Sequence, residues 1–139
     1  LEQDTHHGHR PIENNPNKCH AASHGNYNTT EEGLYEDYIR PQEHGAHGGC
    51  NYVILEDEKL RLTAVSLEAF SFNASHYTQE EMTEKGHNYE LEACGSTVLC
   101  LDYRHNGIGS ASCGPVLRRE YALTDEVIDF EIRIIPELK

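Results

Sequence analysis

The chain has 139 residues, with five cysteines, one methionine, no tryptophan and a formal net charge of −13. That length fits one domain burying roughly 68% of its unfolded surface. The acidic balance excludes a run of phosphate contacts and so a nucleic-acid partner, and the short apolar runs exclude a transmembrane helix.

Residues 1–47 hold seven of the ten histidines, many Asn and Gly residues, and almost no aliphatic periodicity. This stretch reads as loop with at most one short strand. From 48 onward the chain is strand-rich. Asn51-Tyr52-Val53-Ile54-Leu55 is β-branched and aromatic, and Lys59 to Val65 alternates with period two. Glu56-Asp57-Glu58 supplies the polar turn between them, so the pair reads as a hairpin. Phe70 to Ala74 alternates again. Thr78 followed by Glu81 forms a capping-box pattern that predicts a helix from Gln79 to Lys85, stopped by Gly86.

Thr97 to Tyr103 is the next strand, with Leu99 and Leu101 on one face. A Gly- and Ser-rich loop follows over 104–115. Arg119 to Leu123 and Val127 to Ile135 read as the last strands, the latter with Ile128, Phe130, Ile132 and Ile134 on one face. Short strands, polar turns and one helix predict an all-β fold, an antiparallel β-sandwich with one short helix.

Cysteine use is uninformative about pairing. Five is an odd number and no C-x-x-C pair occurs, so free thiols in a reducing, cytoplasmic compartment are favoured over one or two disulfides. The first residue is Leu1, as in a processed chain or a piece of a longer one, which leaves any signal peptide out of view. His6-His7-Gly8-His9 is the one metal candidate, because His7 and His9 share a face in extended backbone. Without a third ligand or a carboxylate partner, exposed histidines are the better reading, and no metal site is expected. The 24 acidic residues include adjacent pairs such as Glu80-Glu81, which read as solvated surface rather than a catalytic pair. Residues 107–115 lack the Gly-Lys-Ser/Thr ending and following helix of a phosphate cradle.

Four segments, in order, match a known pattern. Gly8-His9-Arg10-Pro11-Ile12-Glu13-Asn14-Asn15-Pro16-Asn17-Lys18 is similar to a Gly-x-Gly-Pro-x-Glu-Asn-Tyr-x-Asp stretch, and Leu34-Tyr35-Glu36-Asp37-Tyr38-Ile39-Arg40-Pro41-Gln42-Glu43-His44-Gly45 to a Tyr-x-x-Tyr-Ile-x-Pro-Gln-Glu-Asn-Gly stretch. Phe70-Ser71-Phe72-Asn73-Ala74-Ser75-His76-Tyr77-Thr78 and Val98 to Pro115 complete the series. Together they resemble the last domain of the glycoside hydrolase family 2 β-galactosidases. Arg10 replaces the second Gly of the first motif, Asn15 its Tyr and Asn17 its Asp, and Cys113 stands where some members place a Trp.

The resemblance implies the later part of a supersandwich related to galactose-mutarotase-like folds. It implies packing on a catalytic barrel, in cis or as a separate large subunit, with both catalytic glutamates in that barrel. It puts Gly107, Ile108, Gly109, Ser112 and Cys113 on a loop at the rim of a β-galactoside site. Pro11, Glu13, Pro41, Glu43 and Asp102 are then structural residues of the motifs. No cofactor is expected in this chain, and any Mg or Na of the intact enzyme would lie in the barrel. An independent carbohydrate-binding or mutarotase-like module is the alternative, weakened by the missing tryptophan among eight Tyr and three Phe. Self-association of the isolated chain is a further expectation.

Overall fold

A computed structural model describes residues 3–10, 13–14, 22–106 and 115–139. Among these, the strands are β1 (Gln3–Arg10), β2 (Ser23–Thr30), β3 (His47–Glu56), β4 (Leu60–Ser75), β5 (Val98–Asp102) and β6 (Arg133–Leu138), with one helix, α1 (Gln79–Glu84). Every strand pairing is antiparallel, in the order β2-β1-β3-β4-β5, and β6 also lies against β4. The all-β class with one short helix is therefore as expected, and the sheet with the segments packed on it is consistent with a sandwich.

The β3–β4 hairpin forms where the alternation placed it. Asp57 closes the turn, its Oδ1 accepting from the Lys59 and Leu60 amides at 2.8 Å each. Val53 opposes Ala64 and Leu55 opposes Leu62, so one face carries the aliphatic residues. Beyond a large bulge in β4, Phe70, Phe72 and Ala74 continue that face. Leu99 and Leu101 of β5 extend it, and Leu34, Phe130 and Ile132 pack against it from outside the sheet.

The amino-terminal part corrects the expectation of loop. It contributes two eight-residue strands, and β1 sits between β2 and β3. Their ladder hydrogen bonds supply what aliphatic alternation does not. Gly8 lets β1 close on β3, since a Cβ there would stand 2.4 Å from the Cys50 sulfur.

Three further boundaries differ from the sequence reading. Arg119 to Leu123 is a turn, with the Tyr121 amide donating to the Arg118 carbonyl at 2.9 Å and the Leu123 amide to Asn106 Oδ1 at 2.6 Å. The last strand begins at Arg133 rather than Val127, because its partner, Val65, is the last ladder residue before β4 bulges. The Thr78 hydroxyl caps α1 by accepting from the Glu81 amide at 3.1 Å. However, the helix ends at Lys85 in extended backbone (ψ 142°), not through Gly86.

Candidate functional site: a polar junction of the motif segments

Glu13 is almost wholly buried, at 1% exposure. One carboxylate oxygen accepts from the Tyr38 hydroxyl at 2.8 Å, the other from the Gly45 amide at 3.1 Å. The neighbouring Asn14 amide donates to the Ala46 carbonyl at 2.7 Å, and Asn14 bridges in parallel to His47. The first and second motif segments are thus joined by hydrogen bonds. Gly45 is required by conformation and by space. Its φ is +71°, and a Cβ would come within 2.3 Å of the Leu34 carbonyl oxygen.

The third segment enters through Asn73, which is 5% exposed and projects from β4 on the face opposite Phe72 and Ala74. Its amide nitrogen donates to Glu43 Oε1 and to the His44 carbonyl, each at 3.2 Å. This clamps the Pro41–Gly45 stretch over β4 and β5. The fourth segment supplies Asp102, opposite Ser71 in the β4–β5 ladder and so on the same face as Asn73. Pro41 and Glu43 also line a cleft that Gln79, Met82 and Thr83 of α1 complete.

Protonation follows from this crowding. Desolvation first, then the Asp102 carboxylate, pushes the Glu43 carboxyl above its ordinary value, while His105 pulls the other way. Burial lowers the His44 imidazole, opposed by the Glu13 and Glu36 carboxylates, so the ring is neutral at pH 7. Burial and the bond to Glu13 raise the Tyr38 phenol far above the usual tyrosine range. Cys50 is not an activated thiol, since burial pushes it up to about 12. Chemically, the junction is a set of carboxylate acceptors held by fixed donors, suited to orienting a loop or hydroxyl groups.

Glu13, Pro41, Glu43 and Asp102 lie together at this junction. Tyr38, His44 and Asn73 are further members that sequence reasoning did not single out, although each lies inside a quoted motif. Pro11, Gly107, Ile108, Gly109, Ser112 and Cys113 lie outside the described residues. A second cleft is lined in part by Tyr103, Arg104, His105 and Tyr121. There the Arg104 guanidinium lies 5.1 Å from the Tyr103 ring centre, and Tyr103 meets Phe130 edge-on at 5.3 Å.

The histidine cluster divides between the two faces of β1. His7 and His9 share a face, as expected, and both meet the His24 ring edge-on, at 4.3 and 4.9 Å. His6 points to the core at 0% exposure, with Nδ1 2.8 Å from Asp4 Oδ2 and its ring edge-on to Phe72 at 4.9 Å. The stretch is an ordered strand rather than an exposed amino-terminal tail. Among the described residues, no group of three or more His, Cys, Asp or Glu side chains is placed to hold a metal ion.

Comparison with known proteins bears on this architecture. Residues 1–134 match the family model described as the β-galactosidase small chain. The chain is 49% identical over 116 residues to a β-galactosidase of Actinobacillus pleuropneumoniae, covering 84% of this chain and 11% of that protein. It is 35% identical over 134 residues to one from Staphylococcus xylosus, covering 96% and 14%. With an Oenococcus oeni β-galactosidase the identity is 32% over 116 residues, covering 83% and 11%. The chain thus spans only a small part of the length of the relatives it matches. By the match over nearly its whole length, this chain belongs to the β-galactosidase small-chain family.

Proposed function

We propose that the chain is a non-catalytic, C-terminal β-domain of a glycoside hydrolase family 2 β-galactosidase, an enzyme that removes terminal β-D-galactosyl groups. In this reading it packs on the catalytic barrel and presents the 107–114 loop at the rim of the sugar site. Any Mg or Na that the intact enzyme uses belongs to the barrel.

The observation that supports this is the Glu13–Tyr38–Gly45–Asn73–Glu43 network. It fixes the Pro41–Gly45 loop over β4 through buried Glu13 and Asn73, and β4 is the ladder partner of β5, which precedes the rim segment in sequence. Retaining glycoside hydrolysis needs a nucleophilic carboxylate and a protonated acid ~5–5.5 Å apart across an open sugar site. Glu43 instead has one carboxyl oxygen engaged by Asn73, which fits a positioning role.

The test uses the chain alone and a chimera, the A. pleuropneumoniae β-galactosidase with its matched region exchanged for this chain. The chain alone should leave a chromogenic β-galactoside intact, and the chimera should hydrolyse it. Turnover by the isolated chain that scales with its concentration through purification would sink the non-catalytic reading. A folded but inactive chimera would count against the assignment to the rim.

A further inference from the structure

β4 leaves the sheet once. Between the Tyr52–Val65 and Cys50–Phe70 pairs, residues 66–69 of β4 face the single residue Asn51 of β3. A bulge of this size bends the strand and re-aims its side chains. The Glu68 amide donates to Ser66 Oγ at 3.1 Å, which fixes the turn. Leu67, at the tip, is completely exposed, at 103%. The bulge borders a cleft lined by Val65, Leu67, Glu68, Asp129, Glu131 and Arg133. The lining combines two aliphatic side chains, Val65 and Leu67, with three carboxylates and one guanidinium. Val127, two residues before Asp129, is 86% exposed.

We propose that this cleft docks a basic segment of the β-galactosidase polypeptide outside this chain. An apolar side chain of that segment rests on Leu67 and Val65, and flanking Lys or Arg residues reach Glu68, Asp129 and Glu131. The inference rests on the proposed function and adds to it the docking face and the chemistry of what docks there. Three observations select this occupant. The lining carries three carboxylates to one guanidinium, so it complements a basic partner. A second copy of this chain, with its own net charge of −13, would bring like charges onto that lining. The chain covers only 11 to 14% of the three relatives compared above, so most of such a polypeptide lies outside it.

The experiment compares amide hydrogen exchange at residues 65–69 in the isolated chain and in the chimera, with activity measured alongside. Exchange should be about tenfold slower in the chimera. Leu67→Asp and Glu131→Lys should each remove that protection, as should NaCl at about 0.5 M for the charged contribution. Glu84→Lys, on α1, should leave it unchanged. Leu67 is fully exposed, so Leu67→Asp should keep the far-ultraviolet spectrum of the isolated chain.

An active chimera with no protection at 65–69 overturns the docking face and leaves the proposed function standing. Protection that survives both Leu67→Asp and Glu131→Lys also overturns the docking face. Protection at 65–69 that grows with concentration in an isolated chain carrying Leu138→Lys identifies a second copy as the occupant, and overturns it too. A folded but inactive chimera removes the reading on which the inference rests.

Discussion

Glu13 is a single carboxylate that holds two donors from the second motif segment while lying almost entirely out of water. Removing its charge leaves the Gly45 amide and the Tyr38 hydroxyl competing for one neutral acceptor. Glu13→Gln should therefore cost about 2–3 kcal/mol, and Tyr38→Phe, which deletes one partner, about 1 kcal/mol. Urea denaturation midpoints of the two variants decide the ranking, and a Glu13→Gln chain as stable as the parent would mean the network is not holding the loop. The pH dependence has a definite sign. The folded chain raises the Tyr38 phenol, so the fold binds that proton more tightly than the unfolded chain does. Its contribution is complete below the ordinary tyrosine value of about 10 and is lost progressively as pH rises above it towards the raised folded-state value. Between about pH 8 and pH 11 the urea midpoint should fall more steeply in the parent than in Tyr38→Phe. Equal slopes would assign the alkaline loss to other groups.

Among the elements, α1 separates what its sequence announced from what it did not. The Thr78 cap is present, so Thr78→Ala should cost about 1 kcal/mol. Gly86 is not the stop, and a Cβ there would meet only the flexible Glu90 carboxylate at 3.5 Å. Gly86→Ala should therefore change the melting temperature little, and a loss as large as that of Thr78→Ala would restore Gly86 as the terminator. The β3–β4 hairpin and the Leu99–Leu101 face were legible because one-sided burial writes period two into the sequence. β1 and β2 were not, because their side chains are polar on both faces. The clue was local: Asp4 and His6 are two apart, hence on one face of a strand, and they form a buried pair at 2.8 Å. Deleting one partner of a buried hydrogen bond costs about 1–3 kcal/mol, so Asp4→Ala should be among the most destabilising substitutions in β1, as read by thermal melting. The candidate site was half legible. The motifs marked Glu13, Glu43 and Asp102, but Tyr38 and Asn73 act through contacts 25 and 30 residues away in sequence, a separation that spacing rules cannot span.

At the scale of the whole molecule, the sheet is incompletely covered at β6. Ile134 and Leu138 oppose Ala64 and Leu60, so they share the core-facing side of the sheet, yet they are 54% and 88% exposed. Such apolar surface gains about 25 cal/mol for each Å² removed from water. Pro136 sits between them in β6 and offers no amide for another strand, which disfavours edge-to-edge addition. Association should therefore run through the exposed face. The net charge of −13 opposes it, and salt shortens the reach of that repulsion to a few ångströms. The isolated chain should therefore show a weight-average mass that rises with concentration, more strongly at about 0.5 M than at about 0.05 M NaCl. Leu138→Lys should return it to a monomer without lowering its melting temperature, because that side chain is already in water. Sedimentation at several concentrations and both salt levels measures this. A strictly monomeric chain at high salt, with a sharp melt that ignores concentration, would mean that the β6 face is stable in water as it stands and does not drive association.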